Sequence, residues 1–208
     1  MASGGLAWAI VLLFFFVSAS ALTALSGGRA RDAAGRNATQ VVANGGVAAM
    51  AAVCHLAGVE WAAAVFCGSL AAACADTWAT EIGVRYGGRP CRILGGSASV
   101  GDSGAVTWLG TLAGVAGGLS VGSLGTMFGI APFGAVAAAG VSGMLLDSVL
   151  GATLQANFHC AACGEQGESP LCSCGRHRTR SGGIRWVDND VVNFAATLCG
   201  ALVAVSLS

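Results

Sequence analysis

Long uncharged, apolar runs alternate with short polar segments along this chain. Residues 1–28 carry no charged side chain and contain the stretch LAWAIVLLFFFVSASALTAL. A second uncharged run covers 37–59, and a third, 61–84, is interrupted only by Asp76 and Glu81 near its end. Residues 103–146 are again uncharged, too long for one membrane crossing, since a helix spans the apolar layer in about 20 residues. A break near Ser120-Val121-Gly122-Ser123 divides this run, and its second half continues past Asp147 to about Asn157. Residues 191–208 form the last span. The pattern predicts six transmembrane helices and an all-α, polytopic fold. A cleaved signal peptide is the rival reading of the first run, but no basic segment precedes it and it is long enough to span.

Composition agrees with this reading. The chain of 208 residues is 55% hydrophobic and only 10% charged, where a soluble domain carries about 25% charged residues. Mean hydropathy is +0.73. One integral membrane domain over 1–208 is expected. The 33 glycines have no triplet period and point to close helix packing, because small residues let helices approach in lipid. All ten basic residues are arginine. The lack of lysine excludes a P-loop and Schiff-base chemistry.

The arginines fall in three loops. Arg29, Arg31 and Arg36 follow helix one; Arg85, Arg89 and Arg92 follow helix three; Arg176, Arg178, Arg180 and Arg185 follow helix five. Six helices put these loops on one face. The positive-inside rule makes that face cytosolic and both termini external. Trp8 and Trp61 then fall at the outer edge, and Trp78, Trp108 and Trp186 toward the inner one, as in an aromatic belt.

The acids converge on the same face. A carboxylate within a span costs roughly 2.5–3.5 kcal/mol on insertion scales and usually marks function. Asp76 and Glu81 sit near the inner end of helix three, and Asp188 and Asp190 at the inner start of helix six. Asp147 lies about ten residues before the inner end of helix five, and Asp102 is in an inner loop. Gly68, Ala72, Asp76 and Thr80 recur at i+4, as do Gly143, Asp147 and Gly151, so both acids lie on small-residue faces. Gly110, Gly114, Gly118 and Gly122 form a similar stripe, read as helix packing. Five residues turn a helix by about 500°, which leaves Asp76 and Glu81 some 140° apart. Asp76 is therefore the better direct metal ligand, with Glu81 acting from the helix end or through water.

Several carboxylates beside several arginines suggest a metal-bridged polyphosphate: Mg²⁺ takes a few carboxylates plus phosphate oxygens, and arginine forks bind phosphate. The Gly-rich segment 95–104 opens helix four, and backbone at a helix N-terminus favours anions. A flexible connector is the plainer reading of that loop.

Between helices five and six, Cys160, Cys163, Cys172 and Cys174 have the spacing C-x2-C-x8-C-x-C, flanked by His159 and His177. Four such ligands suit a closed, structural Zn²⁺ site, with His177 able to replace one cysteine. Surface thiols or a redox pair are the alternatives. The segment 158–186 is thus expected to be a cytosolic, zinc-ribbon-like insert folded over the acidic pocket. Cys54, Cys67, Cys74, Cys91 and Cys199 are scattered.

Asp76-Thr77-Trp78-Ala79-Thr80-Glu81-Ile82-Gly83 resembles the D-T-W-A-S/T-E-x-G signature of the phytyl-phosphate kinase family and its uncharacterised bacterial, archaeal and animal relatives. Further blocks are similar in order, at 40–45 (QVVANG), 101–106 (GDSGAV), 143–152 (GMLLDSVLGA) and 186–193 (WVDNDVVN). The cysteine loop resembles the C-x2-C…C-G insert of prokaryotic members. The resemblance covers nearly all of the chain from Gly35 onward. It departs in two places: the family usually has more hydrophobic sequence before the segment matching Gly5–Leu25, and Gly95, Gly96 and Asp102 stand where hydroxyl residues are expected.

The resemblance implies a prenyl-phosphate kinase, in which a nucleoside triphosphate, CTP by expectation, phosphorylates an isoprenoid monophosphate. It implies Mg²⁺ ligation by Asp76, Glu81, Asp147, Asp188 and Asp190. Arg85, Arg89, Arg92 and Arg185 become candidate phosphate clamps, although each also reads as a positive-inside anchor. Substrate and nucleotide contacts are expected from Thr80, Gly101, Ser103, Gly104 and Ser148. Asn44, Asn189 and Asn193 are expected to orient polar groups, with capping or interhelical bonds as equal readings. The expected partners are an isoprenoid phosphate, a nucleoside triphosphate and the membrane, with no nucleic acid. A CTP-dependent lipid cytidylyltransferase and a transporter of cations or prenyl phosphates are the rivals. An intramembrane aspartyl protease is disfavoured because no G-x-G-D occurs.

Overall fold

A computed structural model describes residues 3–25 and 38–208. Arg29, Arg31 and Arg36 lie outside the described residues. Among the described residues, six helices are long and apolar enough to cross a membrane. They are α1 (Ser3–Leu25), α2 (Ala38–Leu56), α3 (Ala62–Tyr86), α4 (Trp108–Met127), α5 (Phe133–Thr153) and α6 (Asn189–Ser206). Five short strands lie between the helices. β1 (Cys91–Arg92) and β2 (Ala105–Val106) form an antiparallel pair. β3 (Asn157–His159), β4 (Gln166–Gly167) and β5 (Thr179–Gly182) form a second antiparallel sheet in the order β4-β3-β5.

α3 is the hub. It packs against all five other helices, and 67% of its span is buried, against 22% in α1 and 17% in α2. Glycine makes this approach possible. A methyl group on Gly68 would lie 2.6 Å from the Gly200 carbonyl of α6, and one on Gly143 would lie 2.3 Å from Ala72 Cβ. The glycine stripe of α4 is a packing stripe, as expected. Gly110 and Gly114 sit against the carbonyls of Ala79 and Ala75 in α3, while Gly118 faces Gly140 of α5.

The break between α4 and α5 is not at Ser120–Ser123, where the sequence reading puts it. Ser120 and Ser123 hydroxyls donate to the carbonyls of Ala116 and Leu119 one turn back, so the helix absorbs both serines. α4 instead ends where Gly129 turns left-handed (φ +65°) and the amide of Ile130 reaches back to Gly125 O at 2.8 Å, a glycine-type helix stop. Pro132 then starts α5. The end of α5 at Thr153 also brings Asp147 closer to the helix terminus than expected.

Connectivity places the segments 87–107 and 154–188, with both small sheets and the described arginines, at one end of the bundle. At the other end, the described residues connect the helices by tight turns at 57–61 and 128–132. Trp108 and Trp186 are 77% and 71% exposed at the arginine-bearing end, as in an aromatic belt. Trp78 corrects that expectation. It faces α1, where its indole N–H donates to Ser18 Oγ at 3.3 Å and its ring lies near Phe14. Trp8 is likewise internal, packed between His55 and Phe66.

The packing can be tested by substitution. Gly200→Val forces a side chain into the Gly68 carbonyl and Ala72 and should destabilise by about 1–3 kcal/mol, the usual cost of overpacking. Gly134→Ala meets nothing within 4 Å and should leave the melt unchanged. Thermal unfolding in detergent, followed by tryptophan fluorescence, distinguishes them.

Candidate functional site

The last turns of α3, the start of α4 and the end of α5 enclose a polar chamber of about 120 Å³ at the arginine-bearing end. Asp76, Ala79, Thr80 and Gly83 line it from α3, at the spacing of one helix face. Asp147 and Ser148 line it from α5. The Asp76 and Asp147 carboxyls come within hydrogen-bonding reach of each other. Among the described residues, Asp147 Oδ2 is buried and has no hydrogen-bond partner. Asp102 and Glu168 add two more acids to the lining, and among the described residues no arginine or histidine shares it. Ionised carboxylates packed this closely repel strongly. Two carboxylates in reach of each other are oxygen donors of the kind a hard cation takes.

The segment before α4 supplies a second wall. Gly101 and Gly104 have φ of +90° and +70°, and a Cβ on Gly104 would lie 2.3 Å from the Ala152 amide. Only glycine satisfies both conditions there. The Asp102 carboxylate accepts from the Ser99 amide at 2.8 Å, which tightens the turn. Thr107 caps α4 by accepting from the Gly110 amide at 3.1 Å. With Thr107, Gly110 and Thr111 in the lining, the positive end of α4 meets the chamber, an arrangement that favours an anion. Asn189, in the first turn of α6, also lines it.

Other expected site residues lie elsewhere. Glu81 turns away from Asp76, as the helical angle requires, and accepts from Thr23 of α1 at 2.7 Å. Arg85, on the same side, donates to the Leu25 carbonyl and stacks over Tyr86. These two residues tie α1 to α3 and do not line the chamber. Asp188 is exposed and caps α6, accepting from the Val191 amide at 3.0 Å. Asp190 sits in the first helical turn, where a negative charge suits the helix dipole; it is also absent from the lining. Asn44 donates to the Gln40 carbonyl within α2, and Asn193 is buried within α6. Arg89 and Arg185 are exposed and outside the chamber. Arg92 lines a larger adjoining cavity. Of the five acids expected to share Mg²⁺, only Asp76 and Asp147 meet in the chamber.

Glu168, Gln155 and Thr107 line the chamber although none is among the expected site residues. Glu168 lies between Cys163 and Cys172, and Ser103 Oγ donates to it and to Asn157 Oδ1, each at 3.1 Å. Nothing in linear spacing predicts that reach. Gln155 follows the end of α5, where a lone polar residue after an apolar span was the available signal. Thr107 carried the N-cap signature of a hydroxyl residue before a helical run.

The insert brings all four expected cysteines together. Their sulfurs lie within 4.8 Å of one another, with Cys160–Cys174 and Cys163–Cys172 separations of 3.7 and 3.4 Å. Four sulfurs around one Zn²⁺ would be spaced ~3.8 Å apart, given Zn–S bonds of ~2.3 Å. The cluster therefore fits such a metal, and neither His159 nor His177 belongs to it. Gly164 and Gly175, with φ of +75° and +79°, close the two cysteine turns. The amides of Cys163 and Ala162 pull the Cys160 thiol down to about 6, favouring the thiolate that binds metal. Arg178 pins the insert, donating to the Ser169 and Leu171 carbonyls and pairing with Glu165 at 2.8 Å.

With the bundle and its chamber defined, comparison with known proteins places the chain. It is a six-span membrane protein with an acidic site at one end. It belongs to the integral membrane protein family DUF92, whose model matches residues 1–201. It is 31% identical to an uncharacterized membrane protein of Methanocaldococcus jannaschii, covering 73% of this chain and 66% of that protein, just under two thirds. It is 31% identical to an uncharacterized membrane protein of Synechocystis, covering 99% and 75%. It is 30% identical to Protein PGR of Arabidopsis thaliana, covering 94% and 80%. No solved structure matches. The family resemblance read from the sequence is thereby borne out.

Glu165 predicts how the insert responds to acid. The Ser173 hydroxyl, the Cys172 thiol and Arg178 hold its pKa below the ordinary 4.5. A depressed carboxyl pKa stabilises the fold above the unfolded value and loses that contribution as pH falls through the folded one. Hydrogen exchange of residues 157–182 should therefore accelerate as pH drops below 4.5, beyond the intrinsic trend, and Glu165→Gln should remove that excess.

Proposed function

We propose that the protein is a membrane prenyl-phosphate kinase that uses a nucleoside triphosphate, CTP in the first instance, and works at the cytosolic face. The observation that carries this reading is the meeting of Asp76 and Asp147, with a buried Oδ2 that has no partner among the described residues, in a chamber lined by no basic side chain among those residues. The family membership and the D-T-W-A-T-E-I-G signature support it. Asp76 and Asp147 would hold Mg²⁺, which supplies charge neutralisation to the phosphates.

An oxygen of the lipid monophosphate attacks the γ-phosphorus, and the bond from that phosphorus to the β–γ bridging oxygen breaks. The electron pair leaves with the nucleoside diphosphate, and the lipid becomes a diphosphate. A phosphate dianion needs no general base to attack, so positioning and electrostatics dominate. The capped start of α4 and the Gly101–Gly104 turn offer donors to the phosphates. Thr80, Ser148 and Asn189 orient them from three helices. Leu145 lines the chamber yet is 42% exposed on the bundle surface, which supports lateral access for a prenyl chain. Beneath the chamber, Gly114, Gly140 and Gly143 press against neighbouring backbone and side chains. That seal favours an enzyme over a permeation path. The four cysteines would hold a structural Zn²⁺, which fixes the insert over the site.

Purified protein supplied with phytyl monophosphate, CTP and Mg²⁺ should yield phytyl diphosphate and CDP. Pyrophosphate and a CDP-lipid would instead identify a cytidylyltransferase. Asp76→Asn and Asp147→Asn should each lower turnover about 10²–10³-fold, the scale of a lost transition-state charge contact; normal turnover in both would remove them from the mechanism. Native metal analysis should find about one Zn per chain, lost in Cys160→Ser/Cys174→Ser.

A further inference from the structure

A second cavity, of about 400 Å³, adjoins the acidic chamber on the side of the insert. Arg92, Asp102 and Ser103 wall it on one side, and Asn157, Ser181 and Gly182 on the other. It shares Gly101, Asp102, Ser103, Gln155 and Glu168 with the chamber. The two cavities are thus neighbouring compartments with a common wall.

Size separates their roles. Pockets for whole small molecules are about 300–1,000 Å³. The outer cavity falls in that range, whereas the inner chamber has room only for phosphoryl groups and ions. The outer walls are also polar, with one cation in Arg92. The pairing of β3 with β5 matches Asn157 to Gly182 and Phe158 to Arg180, and so passes over Ser181. A bulged residue is left out of the ladder, and this one stands at the cavity wall.

Gln155 lies at the junction. It is 3% exposed, it lines both compartments, and its Nε2 has no partner among the described residues. Its backbone is fixed: the amide donates to Leu150 O at 3.0 Å, and the carbonyl accepts from Asn157 Nδ2 at 3.0 Å. A buried, unmet donor is costly, and native structures rarely keep one without a reason. A ligand oxygen passing from one compartment to the other would satisfy it.

We infer that the outer cavity is the donor-nucleotide site: base and ribose lie between the Gly101–Ser103 turn and β5, and Gln155 Nε2 donates to a phosphate oxygen of the chain that runs into the chamber. The inference rests on the proposed kinase activity and adds to it. The cysteine insert becomes half of the nucleotide site, and the prenyl phosphate approaches the chamber from elsewhere.

Binding of radiolabelled CTP with Mg²⁺ to the full chain in detergent tests this, with binding of phytyl monophosphate measured in parallel. A Cβ on Gly182 meets nothing within 4 Å, and Gly182 lines the outer cavity, so Gly182→Phe adds bulk at the cavity wall without a clash at Cβ. Gln155→Leu should weaken CTP binding about tenfold or more, the effect of losing a hydrogen bond to a charged group, and Gly182→Phe should weaken it at least as much by occupying the space. Phytyl monophosphate binding should stay within about twofold. If Gln155→Leu fails to fold, Gly182→Phe decides the matter. Unchanged CTP affinity in Gly182→Phe, with wild-type kinase activity intact, overturns the nucleotide site and leaves the kinase reading standing. A wild-type protein that binds no CTP, ATP, GTP or UTP overturns both.

Discussion

Contact between helix backbones at glycine is the constraint on which this structure depends. Lipid offers no hydrophobic drive between helices, so close van der Waals packing must hold them. α3 achieves it against α4, α5 and α6 through Gly68, Gly110, Gly143 and Gly200, each leaving no room for a methyl group. The same closeness determines where carboxylates can meet. Ala72 touches Gly143; one turn further along each helix stand Asp76 and Asp147. The chamber is the place where small-residue packing stops and two acids take over the same faces.

That logic explains what the chain reveals before folding. Helix number and the sidedness of the arginine loops follow from residue-by-residue hydropathy and charge. That Asp76 and Asp147 each face other helices and not lipid follows from the i+4 recurrence of small residues around them, although their selection from five candidate acids does not. The separation of Glu81 from Asp76 follows from helical angle, although both belong to one short motif. The four-cysteine cluster is legible because ligand spacing in a short loop leaves few ways to fold.

What stayed hidden depends on irregular backbone. Asp188 and Asp190 look like site acids, but the start of α6 falls where Asp188 can cap it. Ser120 and Ser123 look like a break, but each hydroxyl finds a carbonyl in its own helix, and Gly129 with Pro132 makes the turn instead. Glu168 and Gln155 reach the chamber only through the path of the insert, which no periodicity encodes. The arginines illustrate the same limit: their loops can be read as sharing one end of the bundle, whereas among the described residues none of them lines the chamber.

The bond network of Ser103 joins the turn before α4 to the insert after α5, across an entire helical hairpin. During synthesis, α3 therefore reaches the membrane with Asp76 while both its partner acid and the cover of the site are still unmade. The small-residue face that later receives α5 and α6 is at that stage unoccupied. Insertion must carry the Asp76 carboxylate, near the middle of α3, through this interval without its partner, at the cost that an acid within a span carries. Asp76 thus waits inside the span until α5 brings Asp147 to it.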